Sequence, residues 1–219
     1  MNERSVDLTG VQLKVGNYKF GVYIFYDYDG EPIYVGQTNE MLRTRIRRHL
    51  TNQRTDAVAM SVLDPFEVFE IEVFPLPQFQ SITKKSSAEE KAVAKAHLNA
   101  LEHAVYDKAV EASEFKAILN EKDPPPPTMD VDIPASFRQR IVSDEVSKIR
   151  SHPDFRIARR ALIISRLAQV ISERKVQGGL RRVMLTQAIR LQSLADRRYQ
   201  ALGGAASVET ETGDEGDLD

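Results

Sequence analysis

The chain has 219 residues, 42% hydrophobic and 28% charged, which is enough apolar material for one substantial core or two small ones. It has no cysteine, so disulfides and thiolate metal sites are excluded; it also lacks an apolar run of membrane-spanning length and a signal-peptide core in its opening MNERSVDLTG. A cytoplasmic location and no membrane partner are expected. The net charge of −2 hides an asymmetry: fifteen Lys/Arg against five Asp/Glu between Arg138 and Arg198, then six acids and no base over the last sixteen residues.

In chain order, residues 1–16 read as a weakly specified lead-in with at most one short strand around Val11–Val15. Residues 20–28 and 32–35 predict a hairpin turning at Asp29-Gly30, where a type I′ turn needs two positive φ angles. A short polar loop leads to a helix over residues 40–51, with Asn39 as its N-cap. Residues 52–64 carry few signals and read as an irregular excursion. Residues 66–74 alternate apolar and acidic side chains, which predicts a half-buried strand stopped by Pro75 and Pro77. Ser87-Ala88-Glu89-Glu90 is a capping-box pattern that opens a long helix.

Asp123 and the four prolines that follow it cut the chain, because proline continues neither a helix nor a central strand. Five segments follow from this reading: a lead-in (1–16), an α/β domain (17–122), a Pro-rich linker (123–132), a basic helical domain (133–202) and an acidic tail (203–219). The first domain is expected to hold a three-stranded antiparallel sheet with two helices and to supply its own core. The C-terminal region is expected to be all-α, with a helix near residues 135–149 and an αα-hairpin broken at Gly178-Gly179. Its positive excess suits a polyanion; dimerisation and packing on the first domain are the alternatives.

The stretch GVYIFYDYDGEPIYVGQTNEMLRTRIRRHL, residues 21–50, concentrates the chemistry. Tyr23 and Tyr34 fall on opposite strands, and Arg45 and His49, spaced i, i+4, share a helix face. Two phenols, a guanidinium and an imidazole can therefore converge, an arrangement suited to phosphodiester cleavage. Plain structural roles compete: cross-strand aromatic packing for the tyrosines and a helix-end position for His49. Further along, Glu102 interrupts an apolar stripe of Leu98, Leu101, Val105 and Ala109, which is costly unless the carboxylate is paired or binds a cation.

The ordered set Tyr23, Tyr34, Gly36, Arg45, His49, Glu102 and Asn120 resembles the GIY-YIG nuclease family, with Val in place of Ile in both triplets. The resemblance implies a metal-dependent endonuclease acting on DNA. Tyr23 would serve as general base with help from Tyr34 and His49, and a phenol with a free pKa of about 10 needs such help. Arg45 would offset developing charge, Glu102 would be the single protein ligand of Mg²⁺ (or Mn²⁺), and Asn120 would brace the site. Gly36, Arg43, Arg47 and Arg48 are candidate substrate contacts. Pairing of Glu102 with Arg45 and a helix-ending role for Asn120 stay open. The alternative function is a catalytically inactive nucleic-acid-binding or assembly module that keeps the fold.

Overall fold

The computed structural model describes residues 5–6, 12–51, 62–173 and 178–204. The expected acidic tail from residue 205, most of the expected excursion after the first helix and most of the lead-in lie outside them. Two short paired strands, β1 (Ser5–Val6) and β2 (Gln12–Leu13), precede the main sheet. That sheet contains β3 (Gly21–Tyr26), β4 (Pro32–Thr38), β5 (Glu70–Pro75) and β6 (Phe137–Arg140), all antiparallel, in the order β4-β3-β5-β6. The helices are α1 (Leu42–Leu50), α2 (Ala88–Ala112), α3 (Asp144–Arg150), α4 (Pro153–Glu173) and α5 (Gly178–Ala201).

The β3–β4 hairpin pairs Tyr23 with Gly36 and Phe25 with Tyr34. Its turn differs from the expected type I′ form. Gly30 alone has positive φ, at 76°; the Gly30 amide donates to Asp27 O at 3.1 Å and the Asp27 amide to Glu31 O at 3.0 Å. The Asp27 carboxylate also accepts from the Asp29 and Glu31 amides, at 2.8 and 3.1 Å. This side-chain-capped turn followed by a left-handed glycine suits a three-residue loop and removes the need for a second positive φ. The first helix begins at Leu42 rather than residue 40, with Met41 and not Asn39 at its N-cap position. The capping box at Ser87 and Glu90 forms as the sequence indicates.

Every residue of β3 is buried, because both faces of the sheet are covered. On one face, Val22, Ile24, Val35 and Phe74 pack against Leu98, Leu101 and Val105 of α2. On the other, Tyr23, Phe25, Ile71 and Val73 join Leu42 of α1 and Ile163, Leu167, Leu180 and Val183 of α4 and α5. The core of the N-terminal part is therefore completed from beyond the proline run, not by its own strands and two helices alone.

One expectation for the C-terminal region is corrected. Residues 137–140 form a fourth strand rather than the start of a helix, so the region is not all-α. Phe-Arg-Gln-Arg offers no helical apolar stripe, and pairing on β5 sets Arg138 over the Tyr26 ring at 3.7 Å and against Glu70 at 2.7 Å. Helix α3 begins only after Ser143, whose hydroxyl accepts from the Val146 amide. The charges of the region also find partners. Arg156, Arg160 and Arg190, all essentially buried, converge on the Asp27 carboxylate at 3.1, 3.0 and 2.8 Å. Arg160 also pairs with Glu67 at 2.8 Å, Arg159 with Asp64 at 2.7 Å and Arg182 with Asp123 at 2.7 Å. Much of the basic excess is paired with acids of residues 27–123, and α4 and α5 pack on the N-terminal part.

The alternating acids before Pro75 do not all face water either. Glu67 lies in a short 3-10 turn against Arg160, and Glu72 accepts from Tyr26 Oη at 2.6 Å and Ser136 Oγ at 2.5 Å. Both carboxylates are buried and both are satisfied by groups from distant parts of the chain. Among the described residues no helix is long and apolar enough to cross a membrane.

Candidate active site

The site forms on the outer edge of the sheet, where β4 has no strand neighbour. That edge is closed by Asn120, whose amide accepts from the Val35 N–H at 3.0 Å and donates to Val35 O at 2.8 Å. The Leu119 amide adds a bond to Ile33 O at 2.8 Å. Asn120 thus acts as a one-residue strand partner, satisfying backbone groups that would otherwise be stranded. The sequence reading placed Asn120 at the site without a mechanism, and this is how it gets there.

Helix α1 crosses the opposite face so that His49 Nε2 sits 2.9 Å from Tyr23 Oη. The rings of Tyr23, Tyr34 and Phe25 surround the imidazole, with centroids 5.8, 5.2 and 5.8 Å from it. Tyr23 is fully buried and His49 nearly so. The Tyr23 ring is accommodated by the missing side chain at its cross-strand partner: a Cβ on Gly36 would fall 2.5 Å from the phenolic oxygen. Gly21 has a matching constraint, since a Cβ there would lie 2.8 Å from Phe74 O.

Glu102 approaches the same edge from α2. Its Oε2 accepts from Gln37 Nε2 at 2.8 Å, and the same Gln37 amide reaches Asn99 Oδ1 at 3.0 Å. Burial raises the Glu102 carboxyl to about 7, partly countered by the Gln37 bond and the positive charge of Arg45. Arg45 therefore shares the electrostatic environment of Glu102; among the described residues no ion pair joins the two, and Arg45 Nε is buried without a hydrogen-bond partner.

A cleft of about 420 Å³ gathers Tyr34, His49, Glu102 and Asn120, with residues 121–125 along one rim. Four of the six candidate catalytic residues line it directly, and Tyr23 lies beneath it through His49. Arg45 lines an adjoining cleft with Gln37 and Asn99. Of the candidate substrate contacts, Arg43 and Arg47 are exposed, Arg48 pairs with Glu40, and Gly36 is the seat of the Tyr23 ring. Gln37 and Asn99 escaped the sequence reading. The signal available was position: Gln37 follows the Tyr34-Val35-Gly36 triplet, and Asn99 lies three residues before Glu102.

A family model of the GIY-YIG catalytic domain matches residues 19–99. This part of the chain is a GIY-YIG domain. The match includes Tyr23, Tyr34, Gly36, Arg45 and His49, and it stops before Glu102 and Asn120, which the geometry brings to the same cleft. Comparison with curated proteins and with solved structures gave no significant match. A GIY-YIG domain indicates nuclease-type chemistry, for which a nucleic-acid phosphodiester is the substrate.

The donor set can be weighed against the implied metal. Among the described residues no three His, Asp or Glu side chains cluster as a protein-only cation cage. A single half-buried carboxylate suits Mg²⁺, a hard ion that retains waters and takes substrate oxygens. Glu102, held by Gln37 at the wall of an open cleft, is compatible with such a site.

Proposed function

We propose that the chain is a metal-dependent DNA endonuclease that hydrolyses phosphodiester bonds at the cleft beside β4. The observation that carries the reading is the Tyr23–His49 hydrogen bond, seated under a cleft that also exposes Tyr34, Glu102 and Asn120. Tyr23 is too deeply buried to meet a substrate directly, whereas His49 reaches both the phenol and the cleft. The imidazole therefore takes the proton of the attacking water and holds it as imidazolium, with Tyr23 Oη accepting from its Nε2–H, and Tyr34 orients the water at the rim. Arg45, next to Gln37 and Glu102, offsets the charge that builds on the phosphate oxygens. Glu102 would hold Mg²⁺, which supplies Lewis-acid stabilisation of the leaving 3′-oxygen when bound. One such site makes one nick.

Plasmid nicking with Mg²⁺ against EDTA tests the reading. Cleavage that requires the ion and disappears in Glu102→Gln, with DNA binding retained, is the expected result. An inactive assembly module would bind without nicking under any divalent ion.

A further inference from the structure

A second cleft, of about 840 Å³, opens beside the catalytic one, and Arg45 lines it. Five cations border it (Lys19, Arg45, Lys84, Lys91 and Lys95) against a single carboxylate, Glu40, which already pairs with Arg48. Lys84, Lys91 and Lys95 are exposed and form no ion pair among the described residues. Their loop is nonetheless ordered against the helix: Lys91 Nζ donates to Lys84 O at 2.7 Å, and Lys19 Nζ donates to Gln80 O at 3.1 Å. These bonds fix where the charges sit without neutralising them.

The helix register connects this rim to the site. Lys91, Lys95, Asn99 and Glu102 follow one another at i, i+4, i+8 and i+11, which keeps them on one face of α2. Eleven residues span roughly 16 Å of helix axis, and at about 3.4 Å per base step that covers some five phosphates of one strand. The buried arginines of α4 and α5 contrast with this rim. A cation already paired with a buried carboxylate cannot neutralise a phosphate and release the counterions condensed on DNA, whereas an unpaired one on an open cleft can. Arg156, Arg160 and Arg190 belong to the first group, and Lys84, Lys91 and Lys95 to the second.

We propose that the lysine-lined cleft holds the DNA backbone on one flank of the scissile bond, feeding the strand along α2 toward Glu102. This deepens the endonuclease reading and rests on it for the identity of the polyanion. Residues of α4 and α5 contribute little to DNA affinity.

The test uses the full chain, a short fluorescein-labelled duplex and EDTA, so that binding is read without cleavage. Lys91→Gln/Lys95→Gln should weaken binding about 10- to 100-fold at ~0.1 M salt and reduce the salt slope by about 2. Arg166→Gln/Arg181→Gln, which removes two exposed cations of α4 and α5, should leave both unchanged. With Mg²⁺, the lysine variant should raise KM and keep kcat, because neither lysine touches the reacting atoms. Wild-type affinity and slope in the lysine variant, or a loss confined to the arginine variant, would overturn the proposal. Lysine-dependent binding that favours an RNA duplex would overturn the DNA assignment. Lysine-dependent DNA binding by a wild-type chain that does not nick would sink the nuclease reading and leave the cleft assignment standing.

Discussion

Tyr23 lies across Gly36, its partner on β4, so closely that a Cβ at residue 36 would fall 2.5 Å from the phenolic oxygen. The glycine of the second family triplet is thus a consequence of where the first tyrosine must be. Gly36→Ala should push the ring off His49 and cost about 1–3 kcal/mol of stability, the usual range for overpacking a tight site. Thermal unfolding and plasmid nicking should fall together. A variant with unchanged stability would show that the ring has room to shift.

The Tyr23–His49 bond at 2.9 Å carries a second expectation. If the phenol takes part in proton transfer, Tyr23→Phe keeps the packing and loses the hydroxyl, so the nicking rate should drop by at least about 10²-fold. His49→Gln should fall similarly, and the double variant should be little worse than either single one, because the two groups act as a unit. Independent, multiplying losses would separate their roles.

Much of this was legible because it is local. The triplets at Gly21 and Gly36, the Arg45–His49 spacing and the capping box at Ser87 are all readable within a few residues. What escaped depends on partners far away in the chain. Glu67 and Glu72 alternate like solvent-facing acids, yet Arg160 and Ser136 bury them. Phe-Arg-Gln-Arg at residues 137–140 becomes a strand only because β5 offers an edge. Arg156, Arg160 and Arg190 resemble a polyanion-binding set until Asp27 is seen among them. Gln37 gave no signal of its own, since its role depends on where Glu102 arrives.

Glu102 predicts a pH dependence. Its folded carboxyl is raised to about 7, chiefly by burial, against an ordinary value of 4.5. Between those values the folded state binds more protons than the unfolded one, so in EDTA stability should fall as pH rises through this window. Glu102→Gln should flatten that slope and be the more stable form above pH ~7. Mg²⁺ should stabilise wild type more at high pH, where the carboxylate is free to bind it. Denaturant midpoints across pH, with and without Mg²⁺, measure all three; identical profiles for both proteins would place the titration elsewhere.

The cluster around Asp27 distinguishes removing an anion from removing a cation. Asp27→Asn leaves three buried guanidinium groups without their common counter-charge and should cost about 3–5 kcal/mol. Arg190→Met removes a fully buried group whose Nε and Nη1 have no partner among the described residues and whose charge is disfavoured by desolvation, so it should cost clearly less. Urea unfolding at neutral pH gives both values. Equal losses would mean that Arg190 contributes as much through packing as Asp27 does through charge.

The last expectation concerns the proline run. A chain ending after Lys122 would retain every candidate catalytic side chain and lose β6, α3, α4 and α5. It would uncover Tyr23, Phe25, Ile71 and Val73 on one face of the sheet and leave Asp27 and Glu67 without their arginines. Uncovering that face forfeits burial of roughly 1.5–3 kcal/mol for each large side chain, and the sheet would present β5 as an unpaired edge. The fragment should therefore lack a cooperative unfolding transition and near-ultraviolet dichroism, and should nick nothing even with Mg²⁺. Adding residues 123–204 as a separate polypeptide should restore both if packing alone is missing. A fragment that folds and nicks unaided would show that α2 and α1 suffice to hold the site, and that α4 and α5 cover a sheet able to stand without them.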